Sequence, residues 1–563
     1  MKVMQNWLLS IPLIASLGAI LTAAPHLPAQ GTAMPAPALI GEVSSKEEGP
    51  MEGVVVSAKR EGSSITVSVD SDKQGHYSFP ADRLVPGHYT IRIRAVGYDL
   101  DIPGTVDLDA GKTTTANLKL IKTKDLSQQL TNAEWGISVP GTDQQKASYF
   151  MNCNSCHTVQ RIVRSTHTAE EFMPLIARMM SYSSGSSPQK PQLRKDPEHV
   201  PDPSAFRAQA EYLATINRSK NSTWEYPLKT LPRPSGRSTR VIVTEYDLPR
   251  QPVQPHDVIV DRHGRVWYTD FGSEFLGKLD PKTGKVTEYP IALLKPGFPE
   301  GSIDLGEDPK GDIWFGMMYQ GALGRFNPDS EKFQYYPAPA KYNDLPYRQG
   351  ILQINMLGLQ SDVDGKVWTN DAGKEVIYRV DLKTGIYEMM DVLSLLPAER
   401  RHNIYGIYSD SHNNLYFTAL QDSKIGRIDA ETKEVKYYST PTPNAAPRRL
   451  SIDAQDRVWI GENRSNAVAM LDPKTEKITE WPLPTPWTMP YPAMADKNGE
   501  VWTGGMNTDR IVRLNPKTGQ VMEYLMPKDT NIRRVFVDNS TTPVTFWVGS
   551  NHGSSIIRVE PLD

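Results

Sequence analysis

Hydrophobic and polar positions change their rhythm twice along the chain. From Ala38 to about Lys122 they alternate: "MEGVVVSAKR", "SSITVSVDSDKQGHYSF", "GHYTIRIRAVGYDL" and "TTTANLKLIK". Gly, Asp and Pro turns separate these runs, which predicts a small all-β sandwich over residues 38–122. Between about Asp125 and Ser235 the period becomes helical. "TDQQKASYFMNCNSCH" predicts one helix. "TAEEFMPLIARMMSY" predicts a second, with Thr168 as N-cap, Glu171 three residues on, and an apolar stripe at Phe172, Leu175, Ile176 and Met179. "DPSAFRAQAEYLATINR" predicts a third, opened by Pro203, with Phe206, Ala210, Tyr212, Leu213 and Ile216 on its apolar face. The intervening "SSGSSPQKPQLRKDPEHVPDP" reads as a long polar loop.

From about Thr239 to Asp563 the chain repeats. Each copy has a strand, a turn of the D-x-x-G type, a strand bearing Trp or Tyr, a strand ending near D-P-K-T-G, and an outer strand. Four short strands at this period predict a β-propeller of seven blades over 239–563. The seventh copy stops after its third strand. "RVIVTEYDLP", Arg240–Pro249, looks like the outer strands "KVTEYPI" and "KITEWPL", so it is expected to complete the last blade and close the ring. Closure removes two bare sheet edges. Trp267, Trp314, Trp368, Trp459, Trp502 and Trp547 recur at one blade position and read as packing residues.

The formal net charge is −3. No large basic field points to nucleic acid. Lys2, the uncharged run "WLLSIPLIASLGAILTAA" and the small residues of "TAAPHLPAQG" have the layout of a secretory signal peptide, residues 1–30. A membrane anchor is the alternative, on a run only marginally long enough to span. No later segment is apolar enough to cross a bilayer. The mature chain is therefore expected to be exported and periplasmic, with no transmembrane span.

The chain contains two cysteines, Cys153 and Cys156, and His157 follows directly in "CNSCH". C-x-x-C-H is the attachment pattern of c-type haem. Two thiols at this spacing match the two vinyl groups, and the adjacent imidazole lies under the iron. The expectation is one covalent haem c on Cys153 and Cys156, with His157 as proximal iron ligand. A small disulfide, a thioredoxin-like pair and a zinc half-site are the rivals. A disulfide would stabilise little. The redox pair lacks its βαβ setting, and zinc lacks a second cysteine pair.

Resemblances extend this picture. The pieces "GVVVSA", "GHYSF", "LVPGHYTI" and "AVGY" resemble the carboxypeptidase regulatory-like domain, an exported Ig-like module, which implies a structural or docking role. Helix, "CNSCH", loop, methionines and "AEYLATIN" resemble a small all-α cytochrome c-like domain of class I over 125–235. That family's second axial ligand is usually methionine, which singles out Met179, with Met180 and Met173 as alternatives and His167 and His199 behind them. Lines such as "QPHDVIVDRHGRVWYTD" and "NNLYFTALQDSKIGRID" resemble the streptogramin (virginiamycin B) lyase propellers. Those enzymes use a histidine base and a metal held by His and Glu, their histidines lying in P-H dipeptides of several blades. Only "QPHDV" keeps one here, at His256. The aligned places hold Ile303, Leu357, Tyr405, Arg448, Tyr491 and Arg533, so the metal triad does not carry over. One strand on, the aligned places include Asp270, Asp371 and Glu462. With His256, Tyr405, Arg448, Tyr491 and Arg533 they are expected to line one channel mouth.

Two functions follow as expectations. The first is an exported monohaem cytochrome exchanging electrons with an extracytoplasmic protein, its propeller docking a partner or a small-molecule substrate. The second is a propeller-centred enzyme: a streptogramin lyase-like C–O lyase with His256 as candidate base, or an oxidoreductase feeding the haem.

Overall fold

A computed structural model describes residues 36–194, 201–342, 354–356, 364–371, 374–398 and 400–563; the side chains at 148–152 and 354–356 are outside that description. The expected signal peptide, His199 and Leu357 lie outside the described residues.

Residues 38–122 form the sandwich. One sheet centres on Leu39–Ser45, which pairs with Leu118–Lys122 and His76–Phe79. The other runs through Ile65–Asp70, Val55–Arg60, Gly87–Arg94 and Gly104–Leu108. Leu39, Val56, Val69, Phe79 and Ile91 fill the space between them.

The repeats fold as seven antiparallel blades. Six are four-stranded sheets, from Pro255–Pro290 to Met494–Leu525. The seventh consists of Ile532–Asp538, Thr545–Ser550 and Ser555–Pro561, closed by Val241–Asp247 from the front of the segment. The D-x-x-G turns have one mechanism. In Asp261, Asp308, Asp453 and Asp496 one carboxylate oxygen accepts two backbone N–H groups of the turn. The other accepts the indole N–H of Trp267, Trp314, Trp459 or Trp502 at 2.7–2.9 Å. The tryptophans are thus buried struts.

The closing strand does more than close the ring. Val241–Asp247 also pairs, on its other edge, with Ile65–Asp70 of the sandwich. Blade seven and half of the sandwich form one continuous eight-stranded sheet. Two edge strands cover each other, so neither remains exposed for pairing with another chain.

Five helices form: α1 (Asn132–Ser138), α2 (Asp143–Cys153), α3 (Gln160–Val163), α4 (Ala169–Met180) and α5 (Arg207–Ile216). The periodicity predicts α2, α4 and α5; α1 and α3 are additional short helices. Thr131–Glu134, Thr142–Gln145 and Thr168–Glu171 are reciprocal capping boxes. Phe172, Ile176, Ala210, Leu213 and Ile216 build a core that continues into Met489, Tyr491 and Met506 of the propeller. The segment is therefore a layer laid across the propeller, with a core shared between them, rather than a free-standing all-α unit. Its polar loop is also docked. Gln254 donates to the Gly185 carbonyl at 2.9 Å, the Glu300 N–H donates to Gln192 at 2.7 Å, and Lys190 pairs with Glu300. Among the described residues no helix is long and apolar enough to cross a membrane.

Candidate functional site

The site forms where the "CNSCH" turn meets the propeller mouth. Cys153 is the last residue of α2 and packs partly against the helical core; Cys156 lies beside Ser155, and the two thiols are not joined. Burial pushes the Cys153 thiol up to about 12 and raises that of Cys156. Both are held as neutral thiols, unlike a nucleophilic redox pair. His157 Nδ1 donates to the Thr158 carbonyl at 2.9 Å. That fixes the ring and leaves the Nε2 lone pair as its donor. Two unbonded thiols and an imidazole nitrogen on one turn are the donor types that covalent haem attachment would use.

The propeller grips this turn from below. Asn154 is fully buried and donates to the Asn507 side chain. Arg533 donates to the Ser155 carbonyl at 2.9 Å and to the Asn531 side chain at 2.6 Å. His552 lies beneath, near the Asn154 and Ser155 carbonyls, yet neither buried ring nitrogen makes a hydrogen bond of good geometry. Burial, with Arg533 and His157 nearby, lowers its pKa to about 3, so the ring is neutral.

Five blades begin their innermost strand with a register shift: Pro255/Asp257, Ile303/Gly306, Ile404/Ile407, Pro447/Leu450 and Ile532/Val535. A bulge suspends the strict in–out alternation and re-aims side chains. Consecutive residues therefore both reach the channel: His256 and Asp257, Arg448 and Arg449, Arg533 and Arg534. His256 Nδ1 meets the Asp257 carboxylate at 2.6 Å. The carboxylate only accepts, so Nδ1 carries the hydrogen and Nε2 accepts from the Tyr491 hydroxyl at 3.3 Å. Tyr491 and Tyr405 share a further short hydroxyl contact. A hydrogen-bonded chain thus runs from Tyr405, on a cavity wall, to the buried His256–Asp257 pair.

Electrostatics grade this chain. Burial lowers His256 to about 4, against the pull of Asp257. Burial raises Tyr491, but Arg449, Arg448 and Arg533 outweigh it and leave its phenol below the ordinary value. Burial raises Tyr405 to about 12. Arg449 pairs with Asp304, and Arg534 with Asp257 and Asp304.

Of the expected mouth residues, His256, Tyr405, Arg448, Tyr491 and Arg533 converge. Among the described contacts, Asp270, Asp371 and Glu462 are engaged elsewhere. Asp270 pairs with Arg250 and accepts the Gln254 and Gly272 N–H groups. Asp371 accepts the Lys374 N–H. Glu462 accepts from Ser465, and burial raises it to about 8. Met179 and Met180 end α4 with 37% and 43% exposure, whereas Met173 packs against the helical core; His167 stacks edge-on to Phe172. Arg449, Arg534, Asp257, Asp304 and His552 escape the sequence reading. The doublets "PRRL" and "IRRV" at matching blade positions were the available signal for the two arginines. Among the described residues no group of three His, Cys, Asp or Glu side chains is arranged to hold a metal ion.

Residues 298–562 match the Virginiamycin B lyase family, and residues 38–121 match the Carboxypeptidase regulatory-like domain. Neither match reaches the helical segment. Similar solved structures include a streptogramin B lyase, at 22% identity and TM-score 0.48, covering 58% of this chain and 99% of that one. Another is the selenomethionine-substituted virginiamycin B lyase of Staphylococcus aureus, at 21% identity and TM-score 0.47, covering 57% and 99%. No curated protein matches the chain. The chain carries a carboxypeptidase regulatory-like domain at its front and a virginiamycin B lyase-like propeller at its end.

Proposed function

We propose that the chain is an exported, periplasmic monohaem c-type redox protein whose haem-bearing turn is seated on a lyase-like propeller. The observation that carries this is the "CNSCH" turn itself: two unjoined thiols, an imidazole with Nδ1 already committed, and a propeller floor that grips the turn through Asn507, Asn531 and Arg533. Cys153 and Cys156 would hold the haem, with His157 the proximal donor and Met179 the proposed distal one. Bound there, the group supplies one-electron chemistry with an extracytoplasmic donor or acceptor protein. The chain's own residues orient it: Thr158 fixes the imidazole plane, Asn154 anchors the turn, and the propeller docks the partner or substrate. Haem staining on a denaturing gel tests this. Staining of the wild type, made in a host that matures c-type haem, is expected to vanish in Cys153→Ser/Cys156→Ser. An unstained wild type would refute it.

The family match over 298–562 favours a second reading, a C–O lyase centred on the propeller. In it His256 would be the base. His256 is fully buried; its hydrogen-bonded link to the cavity runs through Tyr491 and Tyr405, and its ring stacks on Phe271 of the cavity wall. This reading requires opening of a streptogramin ring, lost in both His256→Ala and Tyr405→Phe.

A further inference from the structure

We propose that the cavity between the Cys153–His157 turn and the propeller mouth binds a carboxylate-bearing organic anion. This goes beyond the redox reading: a free acid as ligand does not depend on it, and haem propionates as ligand rest on it. The cavity holds about 550 Å³, room enough for a small organic acid. Four arginines line it, Arg400, Arg401, Arg448 and Arg533, and among the described residues no carboxylate does. Arg400 pairs with Asp422, and Arg401 stands 3.7 Å from Glu375. Arg448 and Arg533 have no carboxylate partner among the described residues. Arg533 is 3% exposed, and its guanidinium lies 5.4 Å from the Phe271 ring centre. Arg448 lies 4.5 Å from the Tyr491 ring centre, and its buried Nε has no hydrogen-bond partner among the described residues.

Behind the wall, Asp304 and Asp257 neutralise Arg449 and Arg534. The uncompensated charge therefore sits at the cavity. Arg533 is held out of bulk water and Arg448 is half-buried; without a counter-charge this is costly, and a bound anion offsets that cost. Their planar forks suit carboxylate oxygens, and Tyr405, Asn403 and Ser155 supply neutral polar groups around them. The carboxylates have two sources: a free organic acid, or the propionates of a haem held at Cys153 and Cys156.

Calorimetric titration separates these sources. Succinate, with succinamide as the uncharged control, is titrated into the haem-bearing full chain and into Cys153→Ser/Cys156→Ser. Succinate binding to both forms upholds the proposal with a free acid as ligand. Binding to the haem-free form alone upholds it with the propionates as resident ligand. In either case Arg448→Gln weakens binding at least tenfold, Arg448→Lys recovers part of it, and succinamide gives no heat. No succinate binding to either form overturns the proposal. So does unchanged affinity in an Arg448→Gln protein that unfolds at the wild-type temperature. The haemochrome spectrum of the same preparations reports the haem separately, so failure of one reading is not mistaken for failure of the other.

Discussion

At the scale of single residues, the mouth is governed by what each buried polar group faces. His256 is the clearest case. Its folded-state pKa of about 4 lies below the ordinary imidazole value of 6.5. Protonation is therefore favoured in the unfolded chain. The His256 contribution is fully present above pH 6.5 and is lost as pH falls from 6.5 toward 4. The slope is about 1.4 kcal/mol per pH unit at its steepest. Urea denaturation at stepped pH should show this loss, and His256→Asn should flatten it. Tyr491→Phe removes the hydroxyl that caps His256 Nε2 and leaves that nitrogen buried without a donor. The expected cost is about 1–3 kcal/mol by the same measurement. Arg448 and Arg533 were legible as channel residues because the blade repeat aligns them. Their neighbours Arg449 and Arg534 were not, because strict alternation turns the second residue of each doublet away from the channel. Only the bulge brings both inward, and a bulge leaves little trace in hydrophobic pattern.

At the scale of elements, local signals were strong wherever one periodicity or one cap decides the outcome. Thr168 and Glu171 close α4 as a capping box, and the apolar stripe buries Phe172 and Ile176 as expected. The stripe ends early: Met179 is exposed in the last turn of α4. The polar loop after α4 carries no period, so nothing in its composition announces that Gly185 docks beside blade one and Gln192 at the entry to blade two. The Asp–Trp turns offer a comparison between blades. Trp459 donates to Asp453, whereas the indole N–H of Trp547 is buried without a partner. Trp459→Phe removes one of two donors to the same Asp453 oxygen, leaving Arg457, and Trp547→Phe removes none. The first is expected to cost about 0.5–1.5 kcal/mol more than the second in guanidinium denaturation. Equal costs would show that the turn carboxylate holds the backbone alone.

At the scale of the whole molecule, three segments legible as separate patterns are joined by contacts that no single pattern records. The ring closure was readable because Arg240–Pro249 looks like an outer strand. The fusion of its other edge to Ile65–Asp70 was not, since edge pairing depends on backbone groups common to every sequence. The consequence is mechanical coupling. Scanning calorimetry should show sandwich and propeller unfolding together, and Thr244→Pro, in the strand shared by both, should lower that single transition by several degrees or split it. The same integration places the "CNSCH" turn on the propeller floor, so the redox reading is a claim about the joined molecule. The most direct test is the reduced pyridine haemochrome spectrum of protein made with c-type haem maturation, read per mole of chain. The account predicts one covalent haem per chain, absent from Cys153→Ser/Cys156→Ser. A chain that matures fully, stays folded and carries no haem would contradict it, and the His256–Tyr491–Tyr405 mouth would then be the place to seek the chemistry.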